Sequence, residues 1–159
     1  MKIIPKKRRR QNKTNYLKRR KLLESNKPRI VIRKTNKYIL LQYIESDTAQ
    51  DKVKYTITSK ELMKHGWPKE AQGSLKSLPA CYLTGLLFGK KIAKEKPAIL
   101  DTGLITSTKG SRLYAALKGI IDSGYKVKCK EEIFPKEDRI KNEKTKNFFE
   151  DIKNKILKQ

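Results

Sequence analysis

The sequence predicts an α/β fold: a single domain with a mixed sheet covered by helices, a basic N-terminal extension and a charged C-terminal tail. Three short segments rich in β-branched and aromatic residues, joined by short links, indicate an antiparallel meander. The order strand, helix, strand over residues 97–129 indicates a right-handed parallel crossover. Residues 78–94 are apolar nearly all round until Lys90, which predicts a deeply buried helix against the sheet.

The distribution of charge divides the chain into three parts. Residues 1–37 contain sixteen Lys and Arg and a single acid, Glu24, whereas residues 131–159 contain eight basic and seven acidic residues. The predicted division is therefore a basic arm at 1–26, an α/β body at 27–130 and a charged C-terminal tail at 131–159, which is expected to be helical.

The arm is predicted in two pieces. Residues 1–10 end in five consecutive cations, and like charges at this density resist compaction, so this piece is expected to be disordered in the free protein. Residues 12–24 mix basic and apolar residues, and Tyr16, Arg20 and Leu23 fall on one helical face. We expect a basic helix there, formed either in the free protein or only on binding.

Three strands of the body follow the arm. They are predicted at 29–33, 38–44 and 52–58. The third alternates cleanly, which places Val53, Tyr55 and Ile57 on one, inner face. A turn at 35–37 and a polar loop at 45–51 link the three strands.

Helices and two further strands complete the body and tail. Helices are predicted at 59–65, 78–94 and 111–123, and strands at 97–101 and 125–129. Thr58 and Glu61 fit a capping box, Ser77 fits an N-cap, and Gly66 and Gly124 fit helix ends. In the tail, apolar residues at 148, 152 and 156 have helical spacing, which indicates a docking helix or a segment that folds on a partner.

The composition narrows the classes of function. The formal net charge of +24, from 40 Lys and Arg against 16 Asp and Glu, calls for a polyanion, either nucleic acid or an anionic membrane. No apolar run is long enough for a membrane span, and the N-terminus lacks a signal-peptide pattern, so we expect a soluble intracellular protein. Cys81, Cys129 and His65 supply too little for a metal site or a nucleophile, so no metal or cofactor is expected.

The arm is the first candidate binding site. Lys and Arg neutralise phosphates and release counterions, and Arg also stacks on bases. Tyr16 among these cations adds a ring that can stack on an unpaired base. The candidate RNA-binding residues of the arm are Lys6, Lys7, Arg8, Arg9, Arg10, Lys13, Tyr16, Arg19 and Arg20.

The first turn and a later loop are the second and third candidates. The turn group is Arg29, Arg33, Lys34, Asn36 and Lys37. A sheet would fix these residues in space, so that they could set the register of the protein on a folded RNA. The alternative is an ordinary charged sheet edge that discourages strand-to-strand aggregation. The loop residues are Ser107, Thr108, Lys109, Gly110, Ser111 and Arg112. They precede a helix whose N-terminal N–H groups attract phosphate, although a plain helix cap explains them nearly as well.

Two other classes of protein stay open from the residues alone. A two-metal nuclease of the ribonuclease H type has a similar element order, but the three early strands carry no acidic residue at their centres, and Asp101 fits a turn cap better. A general RNA chaperone or membrane-surface protein would use charge without selectivity.

Taken in order, these segments resemble the large-subunit ribosomal protein family numbered eighteen, in its archaeal and eukaryotic form. The matching stretches include KPRIVIRKTNKYILLQYI at 27–44, AILDTGL at 98–104 and STKGSRLYAALKGIIDSG at 107–124, and the resemblance covers nearly the whole chain. The family often has His after Asn-Lys in the first turn, where this sequence has Tyr38, which can still stack on a base.

The resemblance implies a structural constituent of the large ribosomal subunit that binds 5S rRNA and helps attach it to 23S rRNA in the central protuberance. It implies 5S rRNA, 23S rRNA and a neighbouring 5S-binding ribosomal protein as partners, a cytoplasmic location, and binding without catalysis, membrane or cofactor. The family's RNA-contacting segments align with residues 6–21, 33–37 and 107–112.

Overall fold

The computed structural model describes residues 4–47, 50–141 and 145–158. The strands are β1 (Arg29–Lys34), β2 (Ile39–Asp47), β3 (Gln50–Thr58) and β4 (Ile99–Asp101). The α-helices are α1 (Lys7–Arg10), α2 (Tyr16–Glu24), α3 (Leu78–Lys91), α4 (Arg112–Asp122), α5 (Glu137–Ile140) and α6 (Lys146–Lys158). Short 3-10 helices lie at Ser59–His65, Gln72–Ser74 and Glu131–Ile133.

The four strands form one mixed sheet in the order β3-β2-β1-β4, which confirms the predicted fold class. β1 pairs antiparallel with β2 and parallel with β4, so that Ile30 lies beside both Tyr43 and Leu100. The predicted parallel partner was wrong, because residues 125–129 form no strand and β4 pairs with β1 instead. Tyr125 holds this segment by its side chain: its ring is buried and its hydroxyl donates to the carbonyl of Lys96.

The hairpin of β2 and β3 is longer than predicted. Residues 45–47 and 50–51 belong to the strands, with Asp47 opposite Gln50, and positions 48 and 49 lie outside the described residues. The polar side chains predicted a loop, but polar residues suit this exposed ribbon, where Lys54 lies 2.9 Å from the Glu45 carboxylate.

A β-bulge corrects the predicted inner face of β3. The register shifts between Tyr43 and Ile44, so Tyr43 pairs with Tyr55 while Ile44 pairs with Val53. The extra residue breaks the two-residue period. Ile57 is therefore buried as predicted, whereas Val53 is exposed.

The main core lies between one face of the sheet and helices α3 and α4. β1 and β2 contribute buried apolar residues, α4 contributes Leu113, Leu117 and Ile120, and α3 contributes Phe88. α3 begins as predicted, with the Ser77 hydroxyl accepting from the Ala80 N–H at 3.5 Å, but it ends at Lys91.

Glycines allow α3 and α4 to pack in backbone contact. A methyl group on Gly85 would lie 2.0 Å from the Ala116 carbonyl oxygen, and one on Gly119 would lie 2.1 Å from that of Tyr82. Gly85 of α3 and Gly119 of α4 therefore allow the two helices to approach closely.

A second core lies on the other side of α3. Helix α6 buries Phe149, Ile152 and Ile156 there, beside Leu83 and Leu86 of α3. The predicted tail helix therefore docks on the body. Residues 142–144 and 159 of the predicted tail lie outside the described residues.

Candidate RNA interface

The second half of the arm lies against the body through polar contacts. The Lys18 ammonium donates to the Thr102 hydroxyl at 2.8 Å and to the Gly103 carbonyl at 3.0 Å. The Arg19 guanidinium donates to Asp51 at 2.9 Å. The helix is capped by Asn15, whose side chain accepts from the Lys18 N–H at 3.1 Å. The basic helix predicted at 12–24 is therefore present as α2 at Tyr16–Glu24.

The first half of the arm is helical over one turn. Residues 1–10 were expected to be disordered, but Lys7–Arg10 form a turn, and residues 1–3 lie outside the described part. The Arg8 guanidinium donates to Thr14 at 2.9 Å, and the Lys6 ammonium lies 4.9 Å from the centre of the Tyr16 ring. These contacts offset part of the repulsion, while the cations themselves stay exposed.

Arg29 lies beneath this surface, which corrects its assignment as a contact residue. It is 1% exposed and donates to Asp51 at 2.6 Å, to Ser46 at 2.9 Å and to Asp101 at 3.2 Å. Burial costs an ionised side chain several kcal/mol unless it is paired, and two carboxylates supply that pairing. Arg29 therefore positions the Asp51 and Asp101 carboxylates from inside the protein.

Asp51 accepts from both the arm and the body. Burial opposes its ionisation, but hydrogen bonds from Ser46, Arg19 and Arg29 outweigh burial and lower the pKa of the Asp51 carboxyl group. The carboxylate is therefore charged at neutral pH and holds Arg19 of α2 above Arg29 of β1.

Asp101 fixes the cation at the end of β1. Arg33 donates to the Asp101 carbonyl at 2.8 Å and to its carboxylate at 3.2 Å, and that carboxylate also accepts from the Gly103 N–H at 2.8 Å. Asp101 is thus a turn cap, as expected, and an anchor for two arginines. Arg33 keeps about a third of its side chain exposed.

The first turn is ordered by Thr35. Its hydroxyl accepts from the Tyr38 N–H at 3.0 Å and donates to the Tyr38 carbonyl at 2.7 Å. Lys34, Asn36 and Lys37 are exposed around it. Tyr38 is half-buried, with the Lys60 ammonium 4.9 Å from its ring centre.

The loop before α4 matches its predicted role only in part. Gly110 is buried at a φ of +66°, and its N–H donates to the Ile133 carbonyl at 2.8 Å, so this N–H is not offered to phosphate. Ser107 bonds the Tyr114 hydroxyl. Thr108, Lys109 and Arg112 are exposed, and Lys109 lies 3.7 Å from Glu132 in a surface pair.

One groove of about 420 Å³ brings the arm and the first turn together. The cations along it come from α1, α2, β1 and the segments between them: Arg8, Lys13, Lys18, Arg19, Arg33 and Lys34. Lys34 also lines the adjacent groove that contains Thr108, Arg112 and Arg139. Members of all three predicted groups therefore line two adjoining grooves, which together form one continuous basic surface.

The individually named candidate residues leave out two cations of this surface, Lys18 and Arg139. Lys18 belongs to the same basic run as Arg19 and Arg20, so the arm pattern could have included it. Arg139 lies in a nearly neutral tail and carried no signal. Arg20, which was predicted, lies 2.7 Å from Glu24 on an exposed face of α2.

The described residues contain no group of three or more His, Cys, Asp and Glu side chains arranged to hold a metal ion. Within the same ranges, no helix combines the length and the apolar character that a bilayer crossing requires.

Comparison with known proteins identifies the family. The family model described as "Ribosomal large subunit proteins 60S L5, and 50S L18" matches residues 3–98. The large ribosomal subunit protein uL18 of Korarchaeum cryptofilum is 50% identical over 147 residues, covering 91% of this chain and 73% of that protein. The uL18 protein of Methanothrix thermoacetophila is 42% identical, covering 97% of this chain and 95% of its own length. A third, from Thermofilum pendens, is 40% identical over 94% of this chain and 76% of that protein.

These relatives are structural proteins of the ribosome, which excludes the nuclease interpretation. The Asp101 carboxylate, which a nuclease would need for metal binding, is instead paired with Arg29 and Arg33. The chain belongs to the uL18 family of large-subunit ribosomal proteins, a family of rRNA-binding constituents and not of enzymes.

Proposed function

We propose that this protein binds 5S rRNA and helps attach it to 23S rRNA in the central protuberance, beside another 5S-binding ribosomal protein. The continuous basic surface formed by the arm, the first turn and the loop before α4 is the observation that carries the proposal. The family membership supports a ribosomal RNA as the ligand.

Two kinds of cation make up this surface. Arg33 is held by two bonds to Asp101, so it presents its remaining donors in a fixed direction. Lys7, Arg9 and Arg10 are exposed on a single helical turn. Fixed cations set register on a folded RNA, and the others add affinity by releasing counterions.

The docked helix α2 joins these two sets. Lys18 and Arg19 contact the body through Gly103 and Asp51, which sets where the arm leaves it. Arg29 supports both anchoring carboxylates from below and does not itself reach the surface. The RNA-contacting set that we propose is therefore the predicted one without Arg29 and without the N–H of Gly110.

Competition binding tests the proposal. The full chain is titrated with a 5S rRNA transcript and with tRNA at several salt concentrations. Contact with six to ten phosphates predicts a fall in affinity of about 10³–10⁵-fold between roughly 50 and 200 mM salt. A fixed recognition surface also predicts that 5S rRNA stays preferred at the upper end of this range.

A charge-only binder gives a different result. It loses its selectivity as salt rises, because counterion release does not depend on RNA shape. Equal affinity for 5S rRNA and tRNA at roughly 200 mM salt would therefore contradict the proposal and favour a general RNA-binding role.

A further inference from the structure

We infer that the cleft between α2 and the turn after β4 binds the face of one unpaired RNA base. This cleft, of about 270 Å³, is lined by Arg9, Asn12, Thr14, Asn15, Tyr16, Leu17 and Leu104. The inference rests on the proposed function, since it names the part of the RNA that this point of the surface takes.

Two exposed leucines line the cleft. Leu17 is 69% exposed and Leu104 is 52% exposed, although they lie on different elements. Single exposed leucines are common and need no explanation. Here two from distant parts of the chain line one cleft, so a flat apolar ligand that covers both removes their surface from water at once.

The surrounding charge selects a nucleotide as the occupant. The cleft adjoins the basic groove and shares Thr14, Asn15 and Leu104 with it. A phosphate beside Arg8 or Lys13 in the groove therefore brings its own base within reach of the leucines. Among ligands, a nucleotide combines an anionic backbone with apolar ring faces.

The polar rim suits the edge of a base. The Asn15 side-chain oxygen accepts from the Lys18 N–H, which leaves the amino group of Asn15 as a donor. The Tyr16 ring already has the Lys6 ammonium 4.9 Å from its centre. The two leucines, whose side chains carry no such partner, supply the contact with the base face that the inference requires.

A leucine double variant tests this inference. In the full chain, Leu17→Ala with Leu104→Ala is expected to bind the 5S rRNA transcript about tenfold more weakly, because the base then covers less apolar surface. The slope of affinity against salt stays unchanged, since every cation that meets a phosphate is kept. The control Leu157→Ala, at a position 45% exposed on α6, leaves affinity unchanged.

A fluorescent variant reports the contact directly. In Leu17→Trp, stacking of a base on the introduced indole is expected to quench its emission when RNA binds. The parent protein already contains Trp67, which is 2% exposed and therefore shielded from a bound base. Emission of the parent protein measured with RNA gives the background to subtract.

The outcomes separate the inference from the proposed function. Parental affinity in the double variant, or an indole that RNA does not quench, overturns the base site while leaving 5S rRNA binding intact. Equal binding of 5S rRNA and tRNA by the parent protein removes both.

Discussion

The two faces of β1 are stabilised in opposite ways. One face presents Ile30 and Ile32, which are fully buried in the apolar core under α3 and α4. The other presents Arg29 and Arg33, which depend on the carboxylates of Asp51 and Asp101. An apolar core tolerates hydrophobic replacements of similar volume, whereas a buried charge requires its partner. The charged face should therefore be the more sensitive of the two to single substitutions.

Removal of Asp101 should have the largest effect on stability. Asp101→Ala leaves the buried Arg29 with Asp51 alone and frees Arg33, so we expect a decrease of about 3–5 kcal/mol in the free energy of unfolding, measured by urea denaturation. The control Glu24→Gln removes an exposed ion pair with Arg20, and it should change the free energy of unfolding by less than about 0.5 kcal/mol. Equal decreases in the two variants would show that the Asp101 cluster is not a stability determinant.

A methyl group between α3 and α4 tests the apolar side. Gly85→Ala would place its new carbon 2.0 Å from the Ala116 carbonyl oxygen, so the helices must separate, at a cost of about 3 kcal/mol. Gly73→Ala is the matched control, since no atom lies within 4 Å of that position. Thermal unfolding of both variants gives the comparison, and an unchanged melting temperature in Gly85→Ala would contradict the close packing.

Asp51 links the charged face of β1 to the arm, and its contribution to the free energy of unfolding should depend on pH. Asp51→Asn removes charged hydrogen bonds to Arg29 and Arg19, which we expect to cost about 2 kcal/mol at neutral pH. The pKa of Asp51 is lowered in the folded state, so its contribution is present above the ordinary carboxyl range and is lost as pH falls through the folded value.

Urea denaturation at a series of pH values measures this effect. The difference between parent and Asp51→Asn should shrink below a pH of about 4. A difference in unfolding free energy that stays constant with pH would show that the ionised form of the Asp51 carboxyl group does not stabilise the fold.

Deletion of residues 1–14 should have the smallest effect on stability and a large one on RNA binding. The truncated chain keeps Asn15 as the cap of α2 and keeps Lys18 and Arg19 on the body, so the free energy of unfolding should change by less than about 0.5 kcal/mol. The slope of log affinity against log salt should become shallower by roughly 0.7–0.9 for each phosphate that the shortened chain no longer neutralises. Deletion of residues 1–26 also removes α2, and it should lower stability further.

The apolar face could be predicted from the sequence because alternation and apolar helical segments report burial directly. Ile57 and the helix beginning at Leu78 follow from such patterns. Val53 does not, because one extra residue in β3 reverses the phase and no local signal marks the bulge. The strand predicted at 125–129 has the right composition, but composition does not specify which strand becomes the neighbour of β1.

The charged face shows why the site was only partly predictable. The basic arm and the turn are visible as runs of cations, and the structure brings them to one groove. The sequence alone indicates a surface cation at Arg29, because an arginine at the start of a strand usually lies at the surface. Its burial depends on Asp51 and Asp101, which lie 22 and 72 residues away in the chain. Ion pairs between residues so far apart in the chain leave no local pattern in the sequence.

Helix α3 belongs to both apolar cores, with Phe88 on the sheet side and Leu83 on the side of α6. A local opening that releases α6 exposes one flank of this helix, and melting of the sheet exposes the other. Neither half keeps a complete interior when the other is lost. The body and its C-terminal helix should therefore unfold as one cooperative unit, in which the amides of α3 exchange with solvent only through global unfolding.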